Sequence, residues 1–397
     1  MTTRNEDMIS QARTAVVTAF LVFSVVVTFL LGRKLTVKVV KERSFAEIMP
    51  AKESFVELNG AACRFAGRRL CNHVFRDEEG FGIMPLNKAD IPSAAANMTA
   101  FDSWLKRRGV RFVYVQAPSK VDIHDLMNPP AFENPSNAMA DDLLRRLSEA
   151  GVETLDMRPL LAETPDMVHR NFYRGDHHWN NDGAFAAFGI LTRLLSGDDG
   201  RCLYFTDPEN WMRSVIPGCF FGTRARRTGR IFLGYDDLIV YRPKFKTRMS
   251  MKVVDKRKEF NGDFQRTNMN RYPEILAGGE RWRKSAYSTL YIGGLYPRVA
   301  HVNPSAPLKL RVLIIGDSFA RPVEAFLSSV VRDLYVIDPR RMWNIATPVE
   351  CVSAWKPDVV VQLQNPSAFA SDVLHAPEVG RQVMFEYGLD PEGKEAR

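Results

Sequence analysis

Apolar and polar positions alternate along this chain with two periods. From Ala94 to Arg108 the apolar residues Met98, Phe101 and Leu105 recur at helical spacing, and Gly109 stands where a helix would stop. Arg111–Pro118 (RFVYVQAP) then reads as a strand. A second helix is predicted over Asn137–Ala150, on Leu143, Leu144 and Leu147, with a strand over Val152–Leu155. Asn180, Asn181 or Asp182 can cap a helix whose buried face is Phe185, Phe188, Leu191 and Leu195. Further on, Val312–Ile315 is a buried strand that stops at Gly316-Asp317-Ser318-Phe319, and Val323, Phe326, Leu327, Val330 and Val331 continue at helical spacing. Leu334–Asp338 and Asp358–Leu363 are two more buried strands. Strands alternating with helices predict an α/β fold on a mostly parallel sheet.

Two stretches fall outside that rhythm. Thr14–Gly32 is an uncharged run of 19 residues, roughly 28 Å as a helix and enough to span a bilayer. It is long for a signal peptide, and Leu30-Leu31-Gly32 is a poor cleavage site, so an uncleaved anchor over residues 1–34 is expected. Residues 35–93 form a basic stalk and a weakly periodic lead-in, and 94–397 the α/β body, whose tail from Gly388 on is polar. Residues 197–305 are too long for one crossover and are expected as an insertion with strands at Arg230–Leu233, Leu238–Tyr241 and Leu290–Ile292.

Composition is ordinary for a globular chain of 397 residues, with 45% apolar and 25% charged positions. Charge and cysteine usage pull in different directions. Lys and Arg are denser after the apolar run than before it, which by the positive-inside rule favours a cytoplasmic body. Cys63 lies near Cys71 and Cys202 near Cys219, and two local disulfides beside a free Cys351 suit an oxidising compartment instead. No interval among them is a zinc signature.

The chemistry concentrates at two short motifs. Ser318 would sit at the C-terminal edge of a parallel sheet, where open α/β folds place ligands, with the free N–H groups of the next helix ready to stabilise an oxyanion. A serine needs a base, and Asp176-His177-His178-Trp179 supplies one on the turn entering a helix. In an extended backbone Asp176 and His178 project to the same side, so the carboxylate can orient the ring while its other nitrogen faces Ser318. His177 would point away, an exposed side chain held in reserve. Asp176, His178 and Ser318 are therefore the candidate triad for acyl transfer. Alone, the Gly-Asp-Ser turn is as often structural as not and a His-rich tetrapeptide is more often a loop or a stray ligand set, and it is their pairing that suggests catalysis.

Positive charge is concentrated between Arg224 and Lys284, where 17 Lys or Arg face seven Asp or Glu, a net of +10 against +8 for the whole chain. Interleaved with Tyr241, Phe245, Phe260, Phe264, Tyr272 and Trp282, it suits a polyanion. No nucleic-acid-binding motif accompanies it, so an acidic polysaccharide fits better, with Arg224, Arg226 and Arg227 as candidate binding residues; a solvated face near anionic lipid is the rival reading. No nucleotide or phosphate fingerprint is present, and no cofactor is expected.

The motifs D-H-H-W-N-x-D-G-A (Asp176–Ala184) and V-L-I-I-G-D-S-F (Val312–Phe319) are accompanied by A-P-S-K (Ala117–Lys120) and K-P-D-V-V (Lys356–Val360). With them the chain resembles the alginate O-acetyltransferases and related SGNH-hydrolase-like proteins of exopolysaccharide acetylation. The resemblance implies a flavodoxin-like parallel sheet and Asp176, His178 and Ser318 as the triad. It also implies an inner-membrane anchor with a periplasmic body, and a multi-spanning membrane acyltransferase as acyl donor. The expected activity is O-acetylation of an extracytoplasmic polysaccharide; an acetyl esterase with the same triad and a non-catalytic polysaccharide-binding scaffold are the alternatives.

Overall fold

The computed structural model describes residues 52–129, 133–197, 199–342, 345–366 and Tyr387. The expected anchor, stalk and polar tail lie outside the described residues. Among the described residues, no helix is long and apolar enough to cross a membrane.

The strands of the main sheet are β1 (Arg111–Gln116), β2 (Glu153–Asp156), β5 (Met249–Val253), β6 (Lys258–Gly262), β7 (Arg298–Val302), β8 (Leu308–Gly316), β9 (Val331–Ile337) and β10 (Val359–Gln364), in the order β2-β1-β10-β8-β9-β7-β5-β6. A separate hairpin pairs β3 (Trp211–Phe220) with β4 (Asp236–Pro243). Pairing from β2 through β9 is parallel, and β7, β5 and β6 join antiparallel. The sheet is thus α/β and mixed: its five central strands are parallel, as the mostly parallel expectation had it, and the antiparallel edge corrects the flavodoxin-like parallel sheet that the resemblance implies. The three antiparallel strands come from residues 197–305, so that segment widens the main sheet from five strands to eight in addition to carrying its own hairpin.

Alternation along the central strands explains why they are buried on both faces. Val113, Val115, Val312, Ile314 and Val361 pack into one apolar cluster, while Phe112, Tyr114, Leu313, Ile315 and Val360 pack into the other. Helices α2 (Ile91–Lys106), α3 (Ser136–Glu149) and α8 (Pro348–Trp355) cover the second face. Helices α4 (Asn181–Ser196) and α7 (Ala320–Leu327) cover the first, through Phe185, Phe188, Val323 and Phe326. The remaining helices needed here are α1 (Lys52–Phe65), α5 (Thr223–Thr228) and α6 (Glu280–Leu290).

Three local expectations are corrected. Arg230–Leu233 is a turn, and Leu290–Ile292 closes α6. Both runs are apolar because Phe232, Leu233, Leu290, Tyr291 and Ile292 are buried, and a short apolar run does not reveal its backbone by period alone. After Ser318 the helix ends at Leu327, and Val330 and Val331 lead into β9.

Candidate active site

The loop carrying Asp176 is pinched shut at its base by Phe172 and Trp179, which form an antiparallel bridge. Tyr173 N–H donates to the His178 carbonyl at 3.3 Å, and Asn180 caps α4 by accepting from the Asp182 and Gly183 amides. Within the loop Asp236 accepts the Arg174 and Gly175 amides at 2.7 and 2.8 Å. The buried Lys120 ammonium, from the A-P-S-K segment, donates to the Arg174 carbonyl at 2.9 Å and to that of Gly82 at 3.1 Å. The loop is therefore held by polar groups of two distant segments, Asp236 and Lys120.

Ser318 stands in the turn between β8 and α7. Asp317 shapes that turn, its buried carboxylate accepting the Phe319 amide at 2.8 Å and the Asn365 amide, just past β10, at 3.1 Å. Gly316 is needed beneath it, because a Cβ there would meet the Ala320 Cβ at 2.6 Å. The Trp179 indole N–H donates to the Phe319 carbonyl at 3.2 Å and ties the two motifs together.

The geometry that results is a relay. The Ser318 hydroxyl lies 2.7 Å from His178 Nε2, and His178 Nδ1 lies 2.5 Å from Asp176 Oδ1. The other Asp176 oxygen accepts the Thr223 amide at 2.6 Å, at the start of α5. That approach requires Gly222, where a Cβ would lie 2.5 Å from both the Asp176 Cβ and the Gly175 carbonyl oxygen. Burial opposes ionisation of Asp176, yet the two histidines and these hydrogen bonds hold its carboxyl well below the ordinary range. A charged carboxylate behind the ring fixes its tautomer and supports its protonated form, the arrangement a general base for serine requires. Tyr287 of α6 stacks on the His178 ring at 4.1 Å and donates to the Ser318 carbonyl at 3.2 Å.

Two expectations about the immediate surroundings fail. His177 does not point away: its ring lies 3.8 Å from that of His178, and its Nδ1 is 2.9 Å from the Thr223 hydroxyl. The loop is bent at these residues instead of extended, which lets neighbouring rings share a side. Burial, with the adjacent His178 next, pushes the His177 pKa well down, so it is neutral near neutrality. The first amides around α7 are also engaged, Phe319 with Asp317 Oδ1, Ala320 with the Asp317 carbonyl and Arg321 with that of Ser318. The turn consumes these three of the donors that the sequence leaves free for an oxyanion; the Ser318 amide is not among them.

An open cleft of about 510 Å3 lies over the triad, rimmed by Arg226, Lys284, Tyr287, Arg340 and Arg341. Of the three candidate binding arginines only Arg226 borders it; Arg224 faces a small cavity behind His177, and Arg224 and Arg227 both lie against the Met84 sulfur. Arg340 and Arg341 share Asp338, and Lys284 pairs with Glu53 and Glu280, so less positive charge reaches the cleft than the sequence count suggests. Asp176, His177 and His178 also form a group whose ligand atoms lie within 4.8 Å of one another, a spacing a metal could use. Both Asp176 oxygens and both His178 nitrogens are already engaged in hydrogen bonds, so the donor set does not fit a cation.

Sequence reasoning missed Thr223, Asp236, Tyr287 and Gly222, all within residues 197–305. No motif flags them; each is recognisable only by its distance to the loop.

Residues 74–200 match the family model described as the SGNH hydrolase-like domain of acetyltransferase AlgX. Among curated proteins, no relative matches by sequence. The fold is similar to that of Bacillus cereus PatB1, solved with a sulfonyl adduct, at 16% identity, TM-score 0.61, and coverage of 79% of this chain and 97% of that one. It is also similar to a DHHW family protein from Eubacterium siraeum, at 16% identity, TM-score 0.56, and coverage of 76% and 94%. The four letters of that family's name stand in this chain as Asp176, His177, His178 and Trp179. In motif and in the family model over residues 74–200 the chain is similar to the SGNH-hydrolase-like acetyltransferases, and in fold to PatB1 and the DHHW family protein.

Proposed function

We propose that the protein is an O-acetyltransferase that adds acetyl groups to hydroxyls of an extracytoplasmic, acidic polysaccharide. The observation that carries the reading is the 2.7 Å approach of His178 Nε2 to the Ser318 hydroxyl, with Asp176 behind the ring and an open cleft in front.

In this account His178 takes the Ser318 proton as the oxygen attacks the acyl carbonyl, and returns it to the leaving group. Asp176 stays ionised and holds the ring. A sugar hydroxyl enters the same cleft, gives its proton to His178 and attacks the acyl-enzyme, regenerating Ser318. Tyr287 and Phe319 pack against the imidazole, their ring centres 4.1 and 4.9 Å from it. Arg226 on the cleft's rim attracts an anionic polymer. An N-terminal anchor would hold the body at the outer face of the inner membrane, within reach of a multi-spanning membrane acyltransferase as acyl donor.

The esterase alternative uses the same acyl-enzyme with water as acceptor. Incubating the purified protein with an activated acetyl ester, with and without oligosaccharides, separates the readings. Transfer to the sugar supports the proposal, release only as acetate makes the protein an esterase, and tight glycan binding with no turnover makes it a scaffold. A sulfonyl fluoride should also label Ser318 and abolish turnover; labelling elsewhere with activity intact would remove Ser318 from the role.

A further inference from the structure

Helix α1 packs against α5 so closely that a Cβ on Gly60 would overlap the Thr228 carbonyl oxygen. At its C-terminal end the chain reverses through Gly67, at φ +66°, and Arg68 N–H donates back to the Cys63 carbonyl at 2.9 Å. A two-residue turn at Asn72 and His73, both at positive φ, then pairs Leu70–Cys71 with Val74–Phe75. This folds Cys71 back onto α1. Asn59, one turn before Cys63, donates to the Cys71 sulfur at 3.4 Å and lies 4.0 Å from the Cys63 sulfur. The two thiols are themselves within hydrogen-bonding reach of one another, both buried against Val74, Phe221 and Phe232. The other cysteines have different neighbours: Cys202 faces Ser196, Cys219 faces Arg283, and Cys351 faces Arg298 and Tyr335.

We propose that Cys63 and Cys71 are an oxidative modification site, closed as an intrachain disulfide that locks the reversal after α1 and fastens the helix to the body. The five cysteines are thiols in this structure, and the bond is the step from that state. The oxidant is a second disulfide, such as oxidised glutathione or a thiol–disulfide oxidoreductase. One cysteine thiolate attacks it to give a mixed disulfide and release a thiol. The second cysteine then displaces the other thiol, so two electrons and two protons end on the oxidant. Burial pushes the Cys71 thiol up to about 12, so thiolate is scarce once the segment has folded. The bond therefore forms while the segment is folding and only slowly afterwards.

The site matters beyond its own turn. Helix α1 delivers Glu53 to Lys284 at 2.7 Å, and Glu57 to the Arg230 guanidinium at 3.2 Å and its amide at 2.8 Å. Lys284 borders the cleft over Ser318, so the cross-link holds the outer support of that rim.

The test is peptide mapping of the full chain refolded with a mixture of reduced and oxidised glutathione, alkylated in denaturant without reduction. The expected result is a cross-linked peptide joining Cys63 to Cys71, with Cys202, Cys219 and Cys351 alkylated. Alkylation of both Cys63 and Cys71, or a cross-link from either to a third cysteine, overturns the proposal. Reductant should lower the melting temperature of the oxidised protein by about 3–6 °C and leave a Cys63→Ser/Cys71→Ser variant unchanged. If that variant fails to fold, the wild-type arm alone decides, and a melting point indifferent to reductant refutes the fastening role. Neither readout uses enzymatic activity, so failure here is separate from failure of the proposed function.

Discussion

At the residue scale the account turns on two adjacent histidines that the structure treats differently. His178 bridges Ser318 and Asp176, whereas His177 is tied to the Thr223 hydroxyl and packs on its neighbour's ring. His178→Ala should lower kcat for a small acetyl ester by roughly 10³-fold or more, and His177→Ala by about tenfold or less. Steady-state kinetics on both variants check this, and the reverse ranking would mean that the relay runs through the other ring. Lys120 offers a second residue-scale test. Burial pushes its pKa down to about 7 from the ordinary 10.5, with Asp236 and Asp176 drawing it partly back. Its folded value lies below its unfolded one, so the unfolded chain binds more protons across that window, and this group's contribution to stability rises with pH from about 7 to about 10.5. Urea midpoints of Lys120→Met should lose that rise, whatever the variant's absolute stability; an unchanged slope would show that Lys120 is charged throughout.

At the scale of elements, the two motifs were legible because each joins a strongly patterned strand or helix to a turn with specific chemistry. Val312–Ile315 before Gly316, and Asn180 before the Phe185–Leu195 face, are local signals. The groups that finish the site are not local. Thr223, Asp236 and Tyr287 come from α5, β4 and α6, and nothing in their neighbours' periodicity ties them to Asp176. Gly222 shows the difference: at φ −70° its backbone suits any residue, and only the nearness of Asp176 excludes a side chain. Gly222→Ala must displace the Thr223 amide from the Asp176 carboxylate. It should cost about 1–3 kcal/mol of stability and at least tenfold in kcat, measured by denaturant unfolding and ester turnover. A variant with wild-type stability and turnover would show that this contact does not constrain the triad.

For the whole molecule, the sequence indicated an α/β body but not the breadth of its sheet. Residues 197–305 are legible as extra chain and as basic; their three antiparallel strands are not, because a sheet edge is chosen by pairing partners far away in sequence. The same distance effect redistributes charge. Arg230 meets Glu57 and Lys284 meets Glu53, two acids of α1 outside the segment, so part of its +10 is offset by a distant helix. Arg226 and Lys284 remain where a polymer would approach Ser318. Replacing both with Gln should raise KM for an acidic polysaccharide several-fold, flatten its salt dependence and leave kcat for a small neutral ester nearly unchanged. Polymer kinetics that do not respond would move the acidic-substrate reading away from this rim.

The central claim is that Ser318 carries the acyl group between donor and sugar. It is tested most directly by quenching the protein in acid during turnover of an activated acetyl ester and mapping the modified peptide by mass spectrometry. The account predicts one acetyl group on Ser318 that disappears when an oligosaccharide acceptor is added and reappears on the sugar, and no such adduct in His178→Ala. An acetyl group transferred to the sugar at full rate by Ser318→Ala would contradict it.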